Sequence, residues 1–181
     1  MTVDPCASKA ADKFLDYFRE AEALHWQEFD GPLPLYKDTS KASVQKVFRR
    51  LLASELTGAA YAAELVHLPI LAQCLGNANH RTTEMFVWNV LTSAGVRVPH
   101  HAGDAKSAQR VADATNRWHV ESKTVIGEHD FHRALDESYM PLKKAQHRAG
   151  AGRWVPEIVG ANQSSVLIMV GPHSLKKFLS C

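Results

Sequence analysis

Between Val44 and Val66, the apolar side chains Val44, Val47, Phe48, Leu51, Leu52, Ala59, Ala62 and Val66 share one side of a 3.6-residue period. A stripe of that kind has to be covered by other helices, so it points to a bundle. The pattern predicts one helix beginning after Thr39 or Ser40, with Pro69 kinking or restarting it. Upstream, Asp4-Pro5 reads as a helix start, because aspartate caps free amides and proline suits the first helical position. Phe14, Phe18, Ala21 and His25, flanked by Leu15, Tyr17 and Leu24, carry that helix to about Phe29, where GPLPLYKDTS makes a loop.

Downstream, PILAQCL is a short piece ending at Gly76-Asn77, and a further helix carries Met85, Phe86, Trp88 and Leu91 before stopping near Gly95. After the loop GVRVPHHAGD, the helical period runs from Asp104 to about Tyr139, with Ala108, Val111, Ala112, Thr115, Trp118, Ser122, Val125 and Ile126 on a common face. Met140-Pro141 ends it, and PLKKAQHRAG looks like one short basic helix closed by Gly150. RWVPEIV and SSVLIMV, separated by GANQ, resemble two short strands, the first placed at an edge by Pro156.

The expected fold is therefore mostly α: a bundle of four to five helices with a short C-terminal β-hairpin or extended tail. Residues 1–140 form the helical domain, and 141–181 a basic segment that belongs to the same domain. With 45% apolar residues in a chain of 181, one core of ordinary size suffices.

The formal charge of +2 is too small to mark the whole chain as a nucleic-acid or membrane binder. Its distribution is uneven. Residues 141–181 hold Lys143, Lys144, Arg148, Arg153, Lys176 and Lys177 against one acid, Glu157; that segment is +5, which leaves −3 for residues 1–140. Three cysteines, Cys6, Cys74 and Cys181, lie far apart with no Cys-x-x-Cys pair, which argues against a disulfide framework or a thiolate zinc site and for a reducing compartment. The start of the sequence lacks a basic-then-apolar run, and the longest apolar run, VLIMV, is too short to cross a bilayer, so a soluble intracellular chain without membrane insertion is expected.

Two chemistries compete for the function. The enzymatic one is a carboxylate and histidine metal site inside the bundle, where a Glu and a His three residues apart project from one helix face and can share iron, manganese or zinc. Glu22 and His25 have that spacing on the first helix, and Glu64 and His67 on the second. Glu84 lies on the third, and Glu121, Glu128 and His132 form a stripe on the fourth. The pairs fall on the wrong helices for the usual bundle site, and EHDFH at 128–132 can turn most of its charge outward, so no cofactor is expected. Nucleophilic chemistry has little support: Cys74 sits in an apolar run, and neither a Gly-x-Ser-x-Gly elbow nor a phosphate loop occurs.

The basic segment carries the other chemistry. Lys143, Lys144, His147 and Arg148 fall within two turns, Arg153 adjoins Trp154, and Lys176-Lys177 precede Phe178. Cations beside an aromatic ring suit a phosphate backbone with unstacked bases, the charge supplying affinity and the ring a stacking face. The sequence is accordingly read as a non-enzymatic interaction or assembly subunit, its basic segment contacting RNA or another protein subunit.

Overall fold

The computed structural model describes residues 4–96 and 169–181, and among these residues there are five helices and no strands. Helix α1, Pro5–Phe29, begins where expected: the Asp4 carboxylate accepts from the amides of Cys6 (2.9 Å) and Ala7 (3.2 Å), with Pro5 just inside. Its buried face is small at first, Ala7, Ala10 and Ala11, then large, Phe14 and Phe18, so neighbours approach closely near its start. The helix stops at Asp30, whose φ of 51° is left-handed.

Helices α2, Lys41–Leu52, and α3, Gly58–Leu71, replace the single helix expected from Ser40 to Pro69. The physical reason lies at Glu55. A continuous helix would carry the Val44, Phe48, Leu51 stripe directly onto that carboxylate, whereas the break at residues 53–57 leaves Glu55 exposed. Ser54 organises the break: its hydroxyl accepts from the Leu56 amide at 3.2 Å and donates to the Glu64 carboxylate at 2.5 Å. Gly58, at φ 63°, then starts α3 in a conformation that costs glycine nothing. Pro69 sits inside the last turn of α3, two residues before its end, and does not restart a helix.

Helix α4, Asn79–Ser93, buries Met85, Phe86, Val87, Val90 and Leu91 and closes at Gly95, where the expected stop falls. Helix α5, Pro172–Phe178, occupies a stretch expected to be tail. Pro172 fixes its first turn, and Leu175 and Leu179, four residues apart, bury one side; seven residues are too few for a legible period. Of the expected hairpin, Met169 and Val170 lie in a turn and irregular chain, and the rest falls outside the described residues, as do the helices expected at 104–139 and 141–150.

Helix α1 packs on α2 and α4, α3 on α2 and α4, and α5 on α2 and α4. Phe86 is the hub: the rings of Phe14, Phe48 and Phe178 stand 5.4, 5.0 and 5.7 Å from it. The Phe14 and Phe178 contacts are edge-on and the Phe48 contact is tilted, and aromatic pairs of this kind add about 0.5–1.5 kcal/mol each beyond area burial. No helix among the described residues is long and apolar enough to cross a membrane.

Candidate functional site

Three elements that are distant in sequence meet at one cleft of about 480 Å³. The first turns of α1 supply Asp4, Cys6 and Lys9, the last turn of α2 supplies Arg49 and Leu52, and α5 with the turn after it supplies Lys176 and Cys181. Three cations thus face one acid, and that acid is engaged with the amides of α1. The Lys9 ammonium donates to the carbonyl oxygen of Ser180 at 3.1 Å, tying the α1 wall to the far wall. Lys176 and Lys177 are both exposed; Lys176 lines the cleft, and Lys177 lies outside its lining.

In the same wall Cys6 and Cys181 form a disulfide, with Cα atoms 5.8 Å apart, where the cysteine spacing argues against a disulfide framework. A separation of 175 residues is invisible to spacing rules, which read only local pairs. Cys74 remains a free thiol, buried, its sulfur 3.7 Å from the Pro69 carbonyl oxygen. Burial pushes that thiol up to about 12, so it is a core residue and not a poised nucleophile.

Of the basic residues singled out in the sequence, Lys143, Lys144, His147, Arg148, Arg153 and Trp154 lie outside the described residues. Phe178 serves the core with its edge-on contact to Phe86, so it is not a free stacking face beside the lysines. Lys9 and Arg49 were missed because both belong to the acidic part of the chain. The one local signal was Arg49-Arg50 in the last turn of a helix, where cations complement the macrodipole.

The proposed metal ligands are scattered or sunk in the core. Glu22 and His25 are half-buried on α1, the His25 ring packing 4.6 Å from Phe29. Glu64 and His67 are buried on α3, Glu84 is half-buried on α4, and Glu121, Glu128 and His132 lie outside the described residues. Among the described residues, no three His, Cys, Asp or Glu side chains form a group able to hold a metal.

Glu64 and His67 are instead buried on α3 together with Tyr61, and α4, which packs on α3, buries Thr82 and Thr83. Burial, assisted by neighbouring His80, pulls His67 down to about 3. The Tyr61 hydroxyl is raised by burial and by the Glu64 carboxylate, and it finds no hydrogen-bond partner among the described residues.

Among known proteins, no family model matches this sequence, and no curated protein or solved structure resembles it significantly. The class therefore rests on the molecule itself, a helical bundle with a cation-lined cleft where α1, α2 and α5 meet.

Proposed function

We propose that this chain is a non-enzymatic interaction or assembly subunit that contacts an anionic partner, RNA or another protein subunit, through its basic segment. The supporting observation is the cleft, where Lys176 of that segment gathers Lys9 and Arg49 from two other helices. The compact ammonium groups of Lys9 and Lys176 and the planar guanidinium of Arg49 on one concave surface suit a phosphate or carboxylate chain.

Removing the basic segment is a poor test, because Leu175, Phe178 and Leu179 belong to the core. Charge reversal is cleaner. Lys176→Glu and Arg49→Glu alter the cleft and spare the apolar contacts of α5. Binding of a labelled oligouridylate is expected to fall steeply with salt and to weaken several-fold in either variant. Equal binding by wild type and both variants overturns the role of the cleft. Binding of a polyglutamate chain but not the oligonucleotide assigns the partner to protein.

A further inference from the structure

We propose that the Cys6–Cys181 bond is a redox latch on the cationic cleft, holding it shaped for a phosphate backbone when oxidised and loosening it when reduced. The inference rests on the reading of the cleft given above and adds a control to it.

Both cysteines line the cleft, Cys6 from the first turn of α1 and Cys181 from the turn after α5. That turn is an unusual one. The Ser180 amide donates to the Lys177 carbonyl oxygen at 3.1 Å and the Cys181 amide to that of Lys176 at 3.0 Å, which requires residue 180 to adopt a left-handed conformation. Helix α4 closes with the same pair of bonds, from Gly95 to Thr92 and from Val96 to Leu91, and places a glycine at φ 84°. Helix α5 places Ser180 there, at φ 53°, where a Cβ is disfavoured. Among the described residues, two contacts hold this turn against α1: the disulfide, and the exposed bond from Lys9 to the Ser180 oxygen. An exposed lysine contact is weak, so the covalent bond carries the constraint.

The rest of α5 does not depend on it. Val170, Leu175 and Leu179 are buried, and Phe178 packs on Phe86. Reduction therefore releases Ser180, Cys181 and Lys9 and leaves the helix docked. The cleft loses one wall and the fixed position of one cation, so the ordering that was complete before binding must then occur during it.

The sulfurs are also placed for exchange. Cys181 is exposed and Cys6 half-buried, whereas Cys74 is buried. With a small disulfide such as oxidised glutathione, two protein thiols become one S–S bond. Their two electrons and two protons leave on two glutathione thiols.

The test uses the full chain with and without dithiothreitol. Reduction is expected to speed amide exchange at Ser180 and Cys181 but not at Leu175, and to weaken oligouridylate binding several-fold. Cys181→Ser should bind as the reduced chain does, whatever the redox state. Equal affinity of the oxidised and reduced chains, with Lys176→Glu weakening both, overturns the latch and leaves the cleft reading standing. If neither form binds the oligonucleotide or a polyglutamate chain at low salt, the cleft reading falls, and the latch falls with it; binding of polyglutamate alone overturns the latch and leaves the cleft reading standing. Three free thiols persisting under excess oxidised glutathione also overturn the latch.

Discussion

The His67 imidazole, held at about 3 by burial and by His80 beside it, stays neutral in the folded chain while the unfolded chain takes up a proton near its ordinary value of 6.5. Its contribution to stability is therefore complete above pH 6.5 and is lost as pH falls from there toward 3. The loss amounts to about 1.4 kcal/mol per pH unit. His80 is lowered by burial as well and acts in the same direction. Urea midpoints are expected to fall between pH 7 and pH 5, and His67→Gln to flatten that dependence; equal slopes in the two proteins would refute the assignment. Sequence spacing placed Glu64 and His67 correctly on one face of a helix. It could not show that the face points inward, because Tyr61, Leu65 and Leu68 around them make α3 apolar on nearly every side and blur the direction of its stripe.

At the scale of elements, the loop before α2 is pinned to the turn after α3. The Gly76 amide donates to the Thr39 hydroxyl at 2.9 Å, the Tyr36 amide to the Gly76 carbonyl oxygen at 3.1 Å, and the Asn77 side chain to that of Pro34 at 2.7 Å. A Cβ on Gly76 would overlap the Lys37 carbonyl oxygen, which is backbone and cannot rotate away. Gly76→Ala is expected to cost about 1–3 kcal/mol, read as a lower urea midpoint. If alanine were neutral there, the two loops would not be in firm contact. Gly76-Asn77 was legible as the end of the short piece PILAQCL, although α3 already stops at Leu71, and the duty of Gly76 in admitting another loop depends on residues some forty positions away. The break between α2 and α3 was hidden for a related reason. Ala59, Ala62 and Val66 continue the period of α2, and only Glu55 in the predicted stripe dissents.

For the whole molecule, the bundle was legible because α1, α2 and α4 each bury a stripe long enough to show its period. The cleft was not, since Lys9, Arg49 and Lys176 become neighbours only after α1, α2 and α5 pack. The disulfide belongs to this scale too. It spans 175 residues, so in the oxidised unfolded chain it closes nearly the whole sequence into one loop. Chain entropy assigns such a closure an upper value of about 5 kcal/mol, with measured disulfides more often near 2–4. Reduction is therefore expected to lower the urea midpoint and also to raise the slope of the transition, because the freed unfolded chain exposes more surface. The slope separates two origins of the effect. A falling midpoint with a smaller slope would mean that surface had already opened in the folded state, with α5 lifted from Phe86 and not merely loosened at Ser180. A rising slope, with the Phe86 and Phe178 contact retained in aromatic side-chain spectra, fits a bond that acts mainly on the unfolded chain and, in the folded one, only on the wall of the cleft.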